Sequence, residues 1–242
     1  MFIRVLGLIF MEDSIFRFKQ FNVAHDKCAM KVNTDGVLLG AWTDPDGAKQ
    51  ILDIGTGTGV IALVLAQKTP GAKIDAIDID EGAALQAKEN FAASPWSDRL
   101  HAIHSSLQNY TTDKKYDLII SNPPYFVNDY NPGMNIAKHT LTLSHTELVS
   151  GINRLLTGTG TAMITLPAFR IPKFTLLLQN EKLFITHITE VSSIQGKPPY
   201  LALVELGRTE QNHSKTSIAI WTESGKFTSG YRARTQDFYL KL

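Results

Sequence analysis

A glycine-rich turn between two apolar stretches dictates how the first half of this 242-residue chain can fold. The stretch before the turn, Gln50–Ile54, has the length of a buried β-strand, and the stretch after it, residues 60–67, reads as an apolar α-helix. Glycines allow the backbone to turn tightly there and to approach a ligand closely. The helix start then presents unpaired N–H groups to a carboxylate or phosphate. These positions, predicted to bind a ligand, are Gly55, Gly57 and Gly59.

Strand-like and helix-like stretches continue to alternate as far as residue 206. Such alternation produces parallel strands, because each helix carries the chain back across one face of the sheet. The last two strand-like stretches are close enough in sequence to pair as antiparallel neighbours. We therefore predict an α/β fold with a mostly parallel seven-stranded sheet, an antiparallel C-terminal strand and helices on both faces. The predicted strands are residues 50–54, 73–78, 99–104, 115–121, 158–167, 185–191 and 200–206, and the predicted helices are residues 60–67, 81–91, 145–156 and 171–179.

Two acidic residues accompany the first two strands. Asp53 precedes the glycine turn, and Asp78 ends the second strand, 25 residues further along. A carboxylate in that second position can accept hydrogen bonds from both hydroxyls of a ribose; the alternative is a solvated strand-end carboxylate. Residues 57–62 also match the G-x-G-x-x-A pattern of nicotinamide dinucleotide proteins, which alone is weakly specific. The residues by themselves leave the cofactor class open.

The longer pattern Asp53-x-Gly55-x-Gly57-x-Gly59 resembles the motif of Rossmann-like, class I methyltransferases that use S-adenosylmethionine. The resemblance implies that the glycines bracket the methionine end of this cofactor, that Asp53 supports its amino group or the loop, and that Asp78 holds the ribose. Members usually carry an acidic residue after the third strand to bind the adenine amino group. The corresponding position is Ser106, whose hydroxyl accepts a hydrogen bond more weakly than a carboxylate does.

The tetrapeptide Asn-Pro-Pro-Tyr, residues 122–125, directly follows the fourth predicted strand. Its two prolines fix φ and force Asn122 into an extended conformation, which makes a rigid corner. The tetrapeptide resembles the catalytic motif of methyltransferases that act on amide-like or exocyclic amino nitrogens. The resemblance implies that the Asn122 side-chain oxygen and the Pro123 carbonyl oxygen accept the hydrogens of that nitrogen, with Asn122 also touching the cofactor, and that Tyr125 stacks on the base. Acceptors placed where positive charge develops lower a barrier by about 3–4 kcal/mol each.

Further segments resemble the bacterial tRNA1(Val) (adenine(37)-N6)-methyltransferase family. They are residues 16–21, where aromatic and basic side chains alternate, and residues 31–42, 143–145 and 231–242. The resemblance implies S-adenosylmethionine as cofactor and, as substrate, the adenosine beside the anticodon of a valine tRNA. It also implies that the segment before the catalytic core closes over the cofactor, so that Lys31, Thr34 and Asp35 are predicted cofactor contacts. The alternative is an ordinary N-terminal helix with Thr34 as its N-cap.

Basic side chains outside the acidic middle of the chain are the candidates for contact with RNA. Residues 43–130 hold 7 basic and 12 acidic side chains, whereas the flanking blocks have a basic excess. A net charge of +1 argues against a protein that binds nucleic acid non-specifically over its whole surface, but it allows binding through one basic region. RNA-reading proteins take unstacked loop bases into pockets. The predicted RNA contacts are Phe126, Lys138, Arg170, Lys197, Arg232 and Arg234, with Arg17, Lys19 and Lys173 as further candidates.

Three acceptors suit an Asn-Pro-Pro-Tyr motif: adenine N6 in DNA, adenine N6 in RNA, and a glutamine amide in a protein. The roughly 75 residues after the fifth strand leave no room for a separate DNA target-recognition domain, and only about 50 residues precede the first strand, where glutamine methyltransferases carry a helical domain. We therefore predict an RNA adenine-N6 methyltransferase. The alternatives are a glutamine N5-methyltransferase acting on a translation protein and a non-catalytic, cofactor-dependent RNA-binding module.

Composition sets the remaining expectations. Cys28 is the only cysteine, which excludes an intrachain disulfide and fits a reducing, cytoplasmic compartment. Neither the histidines nor Cys28 has metal-ligand spacing, and no apolar stretch is long enough to span a membrane, so we expect no metal, no membrane contact and no obligate protein partner. Residues 1–13 are predicted to be a disordered extension. Residues 14–242 are predicted to form one domain, with a lid or substrate segment at 14–48 and a catalytic core at 49–242.

Overall fold

The computed structural model describes residues 14–124 and 143–241. Its strands are β1 (Ile15–Arg17), β2 (Asn22–Ala24), β3 (Gln50–Ile54), β4 (Lys73–Asp78), β5 (Leu100–His104), β6 (Tyr116–Ser121), β7 (Leu156–Pro167), β8 (Phe184–Ile194), β9 (Leu201–Gly207) and β10 (Ser214–Trp221). β1 and β2 form a small antiparallel hairpin, and the other eight strands form one sheet in the order β10-β8-β9-β7-β6-β3-β4-β5.

Within the large sheet, β9 is antiparallel to both of its neighbours, β7 and β8, and every other neighbouring pair is parallel. This confirms the predicted α/β fold with its mostly parallel sheet and antiparallel C-terminal strand. The sheet has eight strands rather than seven, because β10 adds a parallel strand at one edge. The first four residues of β10 are polar and exposed, so the segment lacks the apolar pattern by which the other strands are predicted.

Helices cover both faces of the sheet, as predicted. Ile51 belongs to the buried cluster that contains the first two helices, and its neighbour Leu52 belongs to a second cluster on the opposite face, because side chains alternate along a strand. Two-sided burial explains why the central strands read as continuous apolar runs. The helices are α1 (Thr34–Trp42), α2 (Val60–Lys68), α3 (Glu81–Ala92), α4 (His145–Leu155), α5 (Ile171–Asn180) and α6 (Ser229–Thr235).

The N-terminal segment packs into the same core as α2. Phe18, Phe21 and Val23 are buried in the cluster that holds the apolar residues of that helix. Helix α1 is capped by Asn33, whose side chain accepts a hydrogen bond from the Gly36 amide at 2.8 Å. The alternative in which Thr34 is the cap is therefore wrong. The division of the domain at residues 48 and 49 stays a prediction, and residues 1–13 lie outside the described part of the chain.

Candidate functional site

The carboxyl ends of β3, β4, β5 and β6 meet at one edge of the sheet, where open α/β sheets bind their ligands. A cavity of about 390 Å³ opens there. The strand ends and the loops that follow them supply most of its walls. The lining includes the predicted residues Gly55, Gly57, Asp78, Ser106, Asn122 and Pro123, together with Cys28, Ala29, Met30, Ile79, Leu107 and Gln108.

The glycine loop forms one wall of the cavity. Gly57 has φ 55°, in the left-handed region that favours glycine, and a Cβ built on it would meet no atom within 4 Å. The backbone is therefore open to a ligand at this point. Gly59, at φ 82°, is required for packing, because a Cβ there would lie 2.5 Å from Cε1 of Phe91 on α3.

Asp53 lies beneath the glycine loop rather than in the cavity wall. Its carboxylate is fully buried and accepts a hydrogen bond from the Thr56 hydroxyl at 2.6 Å. Burial raises the pKa of Asp53 to about 7, against the effect of the Thr56 bond. Of the two roles predicted for Asp53, the geometry favours support of the loop.

Asp78 faces the cavity at the end of β4 and is held by two backbone amides. Its Oδ2 accepts from the Gly57 amide at 2.8 Å and its Oδ1 from the Asp80 amide at 2.9 Å. Burial raises the pKa of Asp78, while these amide bonds lower it in part. A carboxylate oxygen can accept more than one hydrogen bond, so both oxygens keep acceptor capacity for hydroxyl groups in the cavity.

Ser106 lies at the predicted position after β5. Its hydroxyl oxygen accepts a hydrogen bond from the Asn109 amide at 3.2 Å, and the residue lines the cavity next to Leu107 and Gln108. The Ser105 amide donates to the Asp78 carbonyl at 2.8 Å, which ties this loop to the end of β4. The Ser106 hydroxyl therefore lies beside the apolar side chain of Leu107. Together they could contact the polar edge and the flat face of an aromatic ring.

The segment between β2 and α1 covers the cavity with residues that the sequence does not single out. Cys28, Ala29 and Met30 line the cavity, whereas the predicted contacts Lys31, Thr34 and Asp35 do not. The segment is docked on α3, where the Lys27 amide donates to Gln86 Oε1 at 2.9 Å. Asp35 instead accepts a hydrogen bond from the Tyr200 hydroxyl at 2.7 Å.

Asn122 projects from the end of β6 into the cavity mouth, next to Pro123. Its Oδ1 accepts a hydrogen bond from the Thr165 hydroxyl of the adjacent strand β7 at 2.5 Å. Its Nδ2 faces α1, where a Cβ built on Gly36 would lie 3.4 Å away. The amide is therefore fixed between two elements, at the boundary of the glycine-loop cavity. Tyr125 lies outside the described residues, as do Phe126 and Lys138.

The described candidates for RNA contact divide between two edges of the sheet. Arg170 follows β7 and Lys197 lies in the turn after β8, both at the edge that holds the cavity. Arg232 and Arg234 lie on α6. Near the far end of α2, the Gln67 side chain donates a hydrogen bond to the carbonyl oxygen of Asp237 at 3.1 Å, so the end of α6 lies there. The structure does not bring Arg234 to the cavity.

Within residues 14–124 and 143–241, no group of three or more His, Cys, Asp or Glu side chains is arranged to hold a metal ion. No helix in that same part of the chain is long and apolar enough to cross a bilayer. His104 instead contacts the Ile79 carbonyl oxygen through Nε2, at 3.0 Å.

Comparisons with known proteins agree with this geometry. The family model described as the methyltransferase small domain matches residues 30–157. A tRNA1(Val) (adenine(37)-N6)-methyltransferase from Parabacteroides distasonis is 43% identical over 238 residues, which cover 96% of this chain and 100% of the relative. A protein of the same description from Aeromonas hydrophila is 41% identical over 234 residues, with 95% and 99% coverage.

Solved structures share the fold at low sequence identity. A predicted O-methyltransferase from Agrobacterium tumefaciens superposes with a TM-score of 0.63 at 15% identity, covering 84% of this chain and 95% of that one. A 16S rRNA methyltransferase from T. thermophilus, in complex with AdoMet and guanosine, gives a TM-score of 0.53 at 20% identity and covers 78% of this chain and 47% of that one. These likenesses establish the fold.

Proposed function

Because this chain belongs to the tRNA1(Val) (adenine(37)-N6)-methyltransferase family, we propose that it methylates N6 of an adenosine in tRNA, with adenosine 37 of tRNA1(Val) as the target. The observation that carries the proposal is the position of Asn122, whose fixed amide borders the glycine-loop cavity. A substrate amino nitrogen that is hydrogen-bonded to this amide would lie next to a methyl donor held in the cavity.

The cavity fits S-adenosylmethionine, the cofactor of this family. The backbone at Gly55 and Gly57 has open space above it, and Asp78 offers two amide-held oxygens for the ribose hydroxyls. Ser106 and Leu107 offer a hydroxyl and an apolar surface for the adenine. When bound, the cofactor supplies a methyl group already activated by a positively charged sulfur.

Asn122 and Pro123 act on the acceptor nitrogen. The lone pair of adenine N6 is delocalised into the ring, so the nitrogen is a poor nucleophile. The Asn122 Oδ1 and the Pro123 carbonyl oxygen are proposed to accept its two hydrogens, which favours a pyramidal nitrogen and stabilises its developing positive charge. Tyr125, the next but one residue, is proposed to stack on the flipped base.

A labelled-cofactor assay tests the proposed substrate. We expect methyl label to enter total tRNA and an unmodified tRNA1(Val) transcript, and not a transcript in which adenosine 37 is replaced by guanosine. Ribosomes and release factors are incubated in parallel. Label in a protein fraction instead would identify a glutamine methyltransferase, and RNA binding without label would identify a non-catalytic module.

Binding of tRNA should depend on salt, because phosphate contacts release counterions. Lys197→Ala is expected to weaken tRNA binding at low salt and to reduce the slope of log K against log salt by about 0.7–0.9, the contribution of one phosphate contact. Lys197 is exposed at the cavity edge. Filter binding between low and moderate salt measures the slope.

Lys215→Ala is the matched control. Lys215 is exposed near the opposite end of the sheet, at the start of β10, and pairs with Glu190 at 2.7 Å. Its removal should leave the slope unchanged. Equal slopes for wild type and Lys197→Ala would show that Lys197 is not part of the RNA interface.

We propose the cytoplasm as the compartment, because the tRNA substrate is found there and a single cysteine fits a reducing environment.

A further inference from the structure

Two aromatic side chains are exposed at the cavity edge, where the proposed catalysis makes no use of them. Phe169, directly after β7, is 78% exposed, and Tyr200, directly before β9, is 41% exposed. Most apolar aromatic rings in this fold are buried, as in Phe174 on the helix that follows Phe169. One exposed apolar residue needs no explanation, but two neighbouring ones at a ligand-binding edge indicate an interaction surface.

The sheet topology places both residues at the same edge of the sheet as Asn122. β7 is parallel to β6, and β9 is antiparallel to β7, so the end of β7 and the start of β9 lie at the edge where β6 ends. A hydrogen bond from the Ala168 amide to the Tyr200 carbonyl, at 3.1 Å, joins the two loops. Ser121 pairs with Ile164 and Pro167 pairs with Leu201, so Phe169 and Tyr200 lie one and two strands away from Asn122 and project four and three residues beyond its level at this edge.

Tyr200 is also connected to Asn122 through the start of α1. Its hydroxyl donates to Asp35 Oδ1 at 2.7 Å, and the following residue, Gly36, packs against the Asn122 side chain. The ring of Tyr200 is thereby held at the mouth of the site.

The charges around these rings suit a polyanion. The guanidinium carbon of Arg170 lies 5.6 Å from the centroid of the Phe169 ring, and Lys197 is exposed three residues before Tyr200. Exposed aromatic rings with cations beside them bind unpaired bases by stacking, while the cations neutralise the phosphates. RNA loops provide such bases, whereas paired bases have no free face.

We propose that Phe169 and Tyr200 form a stacking surface for the unpaired bases that flank the methylated adenosine. The inference rests on the proposed function, since it takes the substrate to be an RNA loop. The end of β7 and the start of β9 would then bind the two bases that flank the target adenosine while the adenine itself enters the cavity. Specificity for an unpaired loop over a helix then follows from stacking rather than from charge.

Steady-state methylation of a tRNA1(Val) anticodon stem-loop tests the surface. Phe169→Ala and Tyr200→Ala are each expected to raise KM for this RNA by about 5- to 150-fold, the equivalent of about 1–3 kcal/mol for one stacked base. KM for S-adenosylmethionine should not change. Tyr200→Phe keeps the ring but loses the hydrogen bond to Asp35, so its KM should lie closer to that of wild type than to that of Tyr200→Ala. Leu176→Ala controls for loss of an exposed apolar side chain elsewhere, on α5.

RNAs with an abasic nucleotide before or after adenosine 37 complete the test. If a base stacks on Phe169, one abasic RNA should bind wild type weakly and lose little further affinity in Phe169→Ala, so that the two changes are not additive. Unchanged KM in both alanine variants, or additive losses with both abasic RNAs, would overturn the stacking surface. A wild-type protein that methylates no tRNA would instead overturn the proposed function.

A second observation carries an independent inference. Thr165 is completely buried on β7, does not line the cavity, and donates its hydroxyl hydrogen to Asn122 Oδ1 at 2.5 Å. An amide oxygen has two lone pairs, so the bond from Thr165 is compatible with a second hydrogen bond from an amino hydrogen of the substrate. We infer that Thr165 is a positioning residue. Its hydroxyl fixes the orientation of the Asn122 amide, so that Oδ1 rather than Nδ2 is placed to accept a hydrogen of the substrate amino group.

Thr165→Val removes the hydroxyl with little change in shape and should lower kcat by about 2- to 13-fold, the effect of one neutral hydrogen bond, with KM values unchanged. Thr165→Ser should restore kcat. In the Asn122→Ala background, Thr165→Val should have no further effect on kcat, which a merely structural role would not predict. Full activity of Thr165→Val, or equal impairment of the serine and valine variants, would contradict this role.

Discussion

Asn122→Ala is expected to lower kcat for tRNA methylation by about 100- to 1000-fold while the affinity for S-adenosylmethionine stays within a few-fold of wild type. The size of the loss follows from the number of acceptors removed. The variant loses the side-chain oxygen at the cavity mouth but keeps the Pro123 carbonyl. Loss of one preorganised group at a centre of developing charge costs about 3–4 kcal/mol in comparable sites.

Two measurements separate catalysis from binding in this variant. Single-turnover methylation gives the chemical rate, and calorimetry with the cofactor gives its affinity. Asn109→Ala removes an exposed asparagine that does not line the cavity, and it should leave both quantities unchanged. A methylation rate within a few-fold of wild type, together with unchanged cofactor affinity, would show that the Asn122 amide does not act on the acceptor nitrogen.

The predicted site residues that line the cavity share one property: each ends or closely follows a strand in the parallel part of the sheet. Strand ends in such a sheet meet at one edge, so a local pattern fixes a position in space. Gly57, Asp78, Ser106 and Asn122 lie at the ends of β3, β4, β5 and β6, and all four line the cavity. For Asp53 the resemblance allows two roles, and its burial beneath the loop favours support of the loop.

The cover of the cavity could not be predicted, because long-range hydrogen bonds hold it in place. Residues 25–30 have no periodic pattern, and the preceding strand is fixed by Asn90, whose side chain bonds both the amide and the carbonyl of Ala24 at 2.9 Å. Asn90 and Gln86 are almost fully buried on α3, where a sequence pattern assigns polar residues to solvent. The resemblance therefore predicts contacts at Lys31, Thr34 and Asp35, whereas Cys28, Ala29 and Met30 are the residues of this segment that line the cavity.

Other differences have equally local causes. Asn33 and Thr34 are both good N-cap residues, and only the backbone conformation decides between them. The roles proposed for Thr165 and Phe169 depend on strand pairing, which the sequence pattern alone does not reveal. Thr165 contacts Asn122 only because β7 lies beside β6. Arg234 carries the charge expected of an RNA contact, but α6 ends at the far end of α2, where the Gln67 side chain donates to the Asp237 carbonyl oxygen at 3.1 Å. Composition identifies charges without identifying the edge on which they lie.

Asp78→Ala is expected to raise Kd for S-adenosylmethionine by at least about 100-fold. The carboxylate is proposed to accept both ribose hydroxyls, and a hydrogen bond to a charged group is worth about 1.5–3 kcal/mol. The same side chain accepts hydrogen bonds from the Gly57 and Asp80 amides, so its removal also leaves the glycine loop less ordered. Both effects weaken the cofactor site.

Asp78→Asn separates the two effects. It keeps the shape and one acceptor oxygen, but it loses the charge and cannot accept at both sides. We expect a Kd between those of wild type and the alanine variant. Asp26→Asn removes an exposed negative charge on the segment that covers the cavity, and it should leave Kd within a few-fold of wild type. Equal losses in Asp26→Asn and Asp78→Asn would attribute the effect to overall charge rather than to hydrogen bonding.

The pH dependence of cofactor binding provides a second readout for Asp78. Burial raises the pKa of this carboxyl above its ordinary value, and only the ionised form can accept from both hydroxyls. Bound hydroxyls stabilise that form, so the affinity should be greatest above the raised pKa and should fall as the pH drops through it. Asp78→Asn has no carboxyl to protonate and should lose the part of the pH dependence that comes from this residue, while Asp53, with its pKa raised to about 7, remains titratable beneath the loop. A wild-type affinity that stays constant while the pH falls well below the ordinary range of an aspartate would contradict the proposed contact, since a protonated Asp78 would then hold the cofactor equally well.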